Sequence, residues 1–289
     1  MARLGIFIVW LLHFLPLPLL AAIGNGVGLL LYLMAEERRQ VTKINLRLCF
    51  PEMTERARAG LARRNFMAFG RGFLERGILW WSSLARINRL VRPLGIENLE
   101  AELGKPIILL TAHFVALDVG GAWLSQRLNA VSVYGSQKDP LIHKMLLEKR
   151  QRFGDQLLFS RQQGMRPVVR ALRGGRPLFY FTDQDFGAKD ALFIPFFGIL
   201  ASTLTTLPRL VEMTGARVVP CITRMLPWGR GYEVHLYPAW ENYPTGDLAA
   251  DTRRMNEFIE QRVREMPEQY FWPHKRFKTR PPGEERPYG

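Results

Sequence analysis

The apolar run Ile107-Ile-Leu-Leu-Thr-Ala ends at His113, and Asp118 follows after Phe-Val-Ala-Leu. Imidazole is the side chain that gains and loses a proton near neutral pH. A carboxylate that accepts the proton of one ring nitrogen leaves the other nitrogen free as a base. No serine need take part, because such a pair can deprotonate a nucleophile that the substrate brings. Residues five apart on a regular helix do not share a face, so His113 can reach Asp118 only from a strand-to-helix junction ahead of the first turn. The spacing alone is weak, since a chain with five histidines can show it by chance.

The neighbouring elements strengthen the reading. Arg161 follows a predicted strand at Leu157–Ser160, and Asp183, Gln184 and Asp185 follow another at Leu178–Thr182. With His113, these groups emerge just past the carboxyl ends of three strands, the edge where open α/β sheets assemble their sites. They supply a cation for an anionic group or a developing oxyanion, and an acidic cluster. Taken singly, Arg161 reads as a surface charge and the acidic cluster as a solvated turn leading into Gly187.

Further strands are expected at 107–112, 131–135, 218–223 and 233–240, with helices at 140–152, 165–173, 203–214 and 252–266. In the last helix Met255, Phe258, Ile259, Val263 and Met266 recur along one face. Strands alternating with helices predict an α/β fold with a mixed, largely parallel sheet flanked by helices. Residues 36–100 read as helical, basic and rich in aromatics (Phe50, Phe66, Phe69, Phe73, Trp80, Trp81), suited either to phospholipid headgroups or to an ordinary core.

From Leu4 to Met34 there is no Asp, Glu, Lys or Arg, whereas ~20 apolar residues suffice to cross the hydrocarbon. Pro16 and Pro18 predict a break between a helix over 4–15 and a second over 19–35. The run is too long for the apolar core of a cleaved signal peptide, and Ala21-Ala22 lies in its middle. It reads as a retained N-terminal hydrophobic membrane helix, spanning or dipping into the bilayer. Residues 1–35 are thus the anchor and 36–289 a single catalytic domain. Arg38, Arg39, Lys43 and Arg47 follow the run and only Arg3 precedes it, which places the rest on the cytoplasmic side.

The 289 residues are 47% hydrophobic and 23% charged, an ordered globular composition rather than a disordered tail. Forty Lys and Arg against 26 Asp and Glu leave a charge of +14, which favours phosphorylated lipid, nucleic acid or an acidic carrier protein. No DNA- or RNA-binding signature accompanies it, so nucleic acid is not an expected partner. Cys49 and Cys221 are too few and too far apart for a disulfide framework or a thiolate metal site. A metal-dependent hydrolase using His113, Asp118, Asp183 and Asp185 is the rival chemistry. Against it, no His-x-His or His-Glu-x-x-His spacing occurs, and His13, His143, His235 and His274 lie in unrelated contexts. No metal and no cofactor are expected.

The ordered series His113-x4-Asp118, Arg161, Asp183, then Pro220 in Arg217-Val-Val-Pro-Cys-Ile resembles the four blocks of the glycerolipid acyltransferase superfamily. The third block, Phe181-Thr-Asp-Gln-Asp-Phe-Gly187, is similar to that of the lipid A late acyltransferases, as are Lys43-Ile-Asn-Leu-Arg-Leu-Cys-Phe-Pro51 and the tail Gln269-Tyr-Phe-Trp-Pro-His-Lys-Arg-Phe-Lys-Thr-Arg-Pro281. The likeness covers nearly the whole chain and is nearest the lauroyl-type enzymes. Thr182, where proline is common, and Pro273 are small departures. The resemblance implies transfer of a fatty acyl chain from acyl carrier protein to a hydroxyl on a hydroxyacyl chain of lipid IVA bearing Kdo sugars, at the inner membrane of a bacterium. It implies His113 as general base, Asp118 as the group holding its tautomer, and direct attack on the thioester without an acyl-enzyme. It also implies Arg161 as a partner for phosphate, sugar acid or phosphopantetheine. Asp183, with Gln184 and Asp185 beside it, would line the acceptor site. The basic run Lys144, Lys149, Arg150 and Arg152 suits the acidic carrier, and Lys275, Arg276 and Lys278 suit headgroup phosphates. A second late acyltransferase, or one acting on another membrane lipid, fits the same residues.

Overall fold

Proline has no N–H to donate and obstructs the preceding turn, and the amino-terminal run breaks accordingly. In the computed structural model, which describes residues 2–136 and 139–288, α1 (Ala2–Leu12) ends before Pro16, and α2 (Leu17–Met34) carries Pro18 in its first turn. That is where a missing N–H costs nothing. α2 is long and apolar enough to cross a membrane. α3 (Glu36–Cys49) follows, then α4 (Glu55–Trp81), whose first turn is capped by Thr54 Oγ1 accepting from Ala57 N–H at 3.2 Å.

α2 and α4 meet backbone to backbone. A methyl group placed on Gly70 would lie 2.2 Å from the Gly24 carbonyl oxygen, and one on Gly28 would lie 2.2 Å from that of Phe66. Only glycines allow such an approach, the small-residue packing common where helices cannot rely on water to drive them together. Further along α4, buried Arg71 donates to Glu75 at 2.9 Å and the Tyr232 hydroxyl donates to the same carboxylate at 2.6 Å, fixing the helix to the sheet behind it.

The remaining strands are β1 (Val91–Leu94), β2 (Ile107–Thr111), β3 (Val131–Tyr134), β4 (Leu157–Ser160), β5 (Leu178–Phe181), β6 (Ala191–Phe196), β7 (Ile199–Leu204), β8 (Arg217–Met225) and β9 (Tyr232–Leu236). The helices among them are α5 (Leu84–Leu90), α6 (Ile96–Glu100), α7 (Leu117–Ser125), α8 (Pro140–Gln151), α9 (Arg166–Arg173), α10 (Thr206–Thr214) and α11 (Leu248–Glu265). Seven strands form one sheet in the order β1-β9-β8-β2-β5-β3-β4. From β8 to β4 all neighbours are parallel, while β9 returns antiparallel to β8. This is the expected α/β architecture. Both faces are covered, as parallel strands require: Ile108 and Leu110 pack toward α9, α10 and α11, and Ile107 and Leu109 toward α2, α4 and α7.

Two features escaped the sequence pattern. β1 contains Pro93 and sits at the sheet edge, where a strand tolerates proline. β6 and β7 form a separate antiparallel hairpin whose two-residue turn is Phe197-Gly198, both with positive φ. Such turns are normally announced by Asn-Gly or Asp-Gly, and the flanking run does not alternate cleanly. Phe50 and Phe66 are core residues, as one of the two readings expects, whereas Phe73 is half exposed. Both cysteines are buried.

Gly70→Ala tests the helix contact. Alanine raises intrinsic helix propensity by ~1 kcal/mol, yet the methyl must push α2 away from α4, and overpacking of this kind costs ~1–3 kcal/mol. The variant is expected to melt at a lower temperature than the parent in the same detergent. A raised Tm would mean that α2 does not bear on α4.

Candidate functional site

The parallel pairing of β2 with β5 decides which carboxylate meets His113. Thr111 lies opposite Phe181, so His113 and Asp183, two residues further along each chain, leave the sheet side by side. His113 Nδ1 donates to Asp183 Oδ1 at 2.7 Å, and the His113 backbone N–H donates to Asp183 Oδ2 at 2.8 Å. The proton is assigned to Nδ1 because an ionised carboxylate can only accept. Among the described residues Nε2 has no hydrogen-bond partner, and the ring is partly open to solvent between Phe181 and Phe271. A neutral imidazole held this way presents a lone pair outward, the arrangement of a general base.

Burial opposes the imidazolium, but the Asp183 charge and hydrogen bond outweigh it and hold His113 above the usual histidine value; Asp118 adds to this and Arg161 subtracts. Burial likewise opposes the Asp183 carboxylate, and the charge and hydrogen bonds of His113 overcome it to hold that acid below its ordinary range.

Asp118 does not bond the ring, contrary to the expectation from its spacing. The ring is turned to β5, and the chain continues through Val115, whose N–H donates to Gln269 O at 2.8 Å, before α7 begins. Asp118 then sits in the first turn of α7, facing Arg76 of α4 at 2.8 Å and Arg150 of α8 at 3.6 Å. Burial would raise its pKa, but these two cations hold it down. The His-x4-Asp spacing therefore brings two adjoining charge systems together: an imidazole–carboxylate pair and a carboxylate bracketed by arginines.

Arg161 lies in an exposed turn after β4, its guanidinium 4.3 Å from the centre of the Phe186 ring, and its charge reaches His113. Gln184 is half-buried next to Asp183. Asp185 is buried and spent on structure: its carboxylate accepts from Thr279 N–H and Oγ1–H at 2.8 Å each and from Gly187 N–H at 2.9 Å. The three aspartates thus hold separate partners. Among the described residues no three His, Cys, Asp or Glu side chains gather as metal ligands do.

The basic segments divide in the same way. Arg152 donates to the Leu79 and Ser82 carbonyls at 2.7 Å, Lys149 lies over the Trp81 ring, and Lys144 pairs with Glu148. Arg276, expected near headgroup phosphates, is buried and donates to Ser202 O and Thr203 Oγ1. Lys275 pairs with Glu37.

Sequence reasoning missed Arg76, Gln269 and His274. Gln269 bonds both backbone groups of Met225, at 2.8 and 2.9 Å, and so ties the end of β8 to the His113 loop. Asn65 holds the Glu268 and Tyr270 carbonyls, and Asn45 those of Trp272 and His274. The carboxyl-terminal strap is thereby stapled behind the site. His274 Nε2 accepts from Asp185 N–H at 3.1 Å, and its ring stacks on Phe271. For Gln269 and His274 the signal was the polar-aromatic tail and its family likeness, which assign no partner, and Arg76 carried no signal of its own.

A model of the family described as bacterial lipid A biosynthesis acyltransferase matches residues 1–279. The lipid A biosynthesis lauroyltransferase of Escherichia coli K12 is 32% identical over 97% of this chain and 92% of its own. The palmitoleoyltransferase of that strain is 29% identical over 98% and 93%, and the myristoyltransferase 30% identical over 94% and 83%.

Burial lowers the His274 pKa from 6.5 to about 4. The unfolded chain therefore takes up a proton there that the folded chain refuses, and stability must fall as pH falls from 6.5 toward 4. His274→Gln, which can still accept from Asp185 N–H, is expected to flatten that part of the acid denaturation curve. An unchanged pH dependence would show that His274 is not held neutral.

Proposed function

The chain belongs to the bacterial lipid A biosynthesis acyltransferases, and we propose that it moves a lauroyl-like chain of twelve to fourteen carbons from acyl carrier protein to a hydroxyl of a hydroxyacyl chain on Kdo-bearing lipid IVA. The observation that carries the chemistry is the outward Nε2 of His113 with Nδ1 bound to Asp183. His113 Nε2 takes the proton of the acceptor hydroxyl as its oxygen attacks the thioester carbonyl. The tetrahedral intermediate collapses with loss of the thiolate, which recovers the proton from the imidazolium. Asp183 fixes the tautomer and balances the charge while His113 is protonated. No acyl-enzyme forms.

The charges around the base fit an anionic acceptor and an acidic donor. Arg76 and Arg150 both pair with Asp118, the one carboxylate that meets them among the described residues, and the charges of Asp118 and Arg161 reach His113. Arginine pairs well with phosphate and sugar acid. Asp118 sets the spread of the two guanidinium groups. The excess of +14 attracts an acidic carrier protein. The apolar α1–α2 pair supports a membrane-associated enzyme, acting in our reading from the cytoplasmic face of the inner membrane, where carrier and acceptor meet. The lauroyl assignment follows the 32% likeness to the lauroyltransferase, and the lipid IVA acceptor follows the family.

The test is transfer in membranes holding the full chain, with lipid IVA with and without Kdo and carrier thioesters of ten to sixteen carbons, read by mass spectrometry. One added acyl chain of twelve to fourteen carbons is the expected product. General-base removal costs ~10²–10⁴-fold, so His113→Ala is expected to lose at least ~10²-fold in kcat while its Tm is retained. Near-normal turnover by the folded His113→Ala protein would overturn the mechanism, and product only with another lipid would overturn the acceptor.

A further inference from the structure

The most exposed large apolar side chain of the described residues is that of Trp228, 81% accessible, at the tip of the turn joining β8 to β9. Its φ of +59° is unusual for a residue with a Cβ, a conformation that costs ~1 kcal/mol or more. The turn is nonetheless held firmly. Leu226 N–H donates to Gly231 O at 2.9 Å, and Arg71 donates to Leu226 O at 3.3 Å. Gly229 is pressed against the start of α2, so that a methyl there would lie 2.5 Å from Pro18 Cα. A rigid turn that spends backbone strain to hold an indole away from the protein needs a partner for it.

Its surroundings name the partner. The turn abuts the α1–α2 break, where Leu11, Phe14 and Leu19 are also exposed. Arg224 and Arg230 flank it and are exposed too. Indole beside guanidinium is the composition of a headgroup-level anchor on an anionic bilayer. The position is equally telling. β8 runs parallel to β2, so its carboxyl end lies at the same end of the sheet as His113, and Gln269 ties the two together.

We propose that the Pro227–Gly229 turn is a second membrane contact that seats Trp228 among the headgroups of an anionic phospholipid bilayer, continuous with the α1–α2 surface, and thereby turns the His113 end of the sheet toward the lipid. The proposal rests on the membrane association given above but needs no acyl transfer.

The experiment labels Trp228→Cys with an environment-sensitive fluorophore in the full chain, where native Cys49 and Cys221 are buried. The protein is reconstituted into phosphatidylethanolamine–phosphatidylglycerol vesicles carrying a spin label at the headgroup or mid-chain, and iodide reports aqueous exposure. Leu30→Cys on the exposed face of α2 and Leu103→Cys at the opposite end of the sheet are the references. The probe at 228 is expected to be quenched more strongly by the headgroup label than by the mid-chain label, as befits a side chain at headgroup level, and to resist iodide, whereas the probe at 103 is quenched by iodide and by neither lipid label. A 228 probe that behaves like the 103 probe while the Leu30 probe is quenched by lipid overturns the second contact and leaves the anchor standing. If the Leu30 probe is not quenched either, membrane association and this proposal fall together.

Discussion

Everything at the site depends on the register of two neighbouring parallel strands. Because Thr111 faces Phe181, His113 and Asp183 emerge level with each other and one carboxylate can hold both the ring and the backbone N–H of the histidine. A slip of one residue would turn the carboxylate to the other face of the sheet. The rest of the fold serves this alignment: apolar residues on both faces fix the register, α7 carries Asp118 away to Arg76 and Arg150, and the strap from Pro267 to Arg276 closes the back.

A second constraint is the close packing of α2 on α4. α4 carries Arg76, which pairs with Asp118, and Gly70, which meets the apolar α2, so one helix links α2 to the charge cluster beside His113. Its buried Arg71–Glu75–Tyr232 network holds it against β9 and reaches the β8–β9 turn through Leu226. The apolar amino-terminal helices and His113 are therefore joined over a short path of packed groups.

Much of this was legible in the sequence. The apolar runs that end at His113, Ser160 and Phe181 mark β2, β4 and β5, and the groups past their ends belong to one sheet edge. The break at Pro16 and Pro18 was equally plain, because proline's effect on a helix is local. The partner of His113 was not legible. Spacing suggested Asp118, whereas strand order, a long-range property, puts β5 beside β2 and gives the role to Asp183. The same limit hid Arg76, which is distant in sequence, and made Asp185 and Arg276 resemble ligand-binding groups when each is buried in bonds that hold the tail.

The central claim is that His113 acts as a base governed by Asp183. The most direct measurement is the pH dependence of kcat/KM for acyl transfer in the parent, in Asp183→Asn and in Asp118→Asn. The rising limb reports loss of the proton from His113 in the free enzyme, and in the parent its midpoint should lie above 6.5, since Asp183 outweighs burial. Without the Asp183 charge, burial prevails and the imidazolium is disfavoured, so Asp183→Asn should move the limb to lower pH as the plateau rate falls, with Asp118→Asn moving it less. A limb that stays in place in Asp183→Asn and shifts in Asp118→Asn would contradict the account and return the orienting role to Asp118.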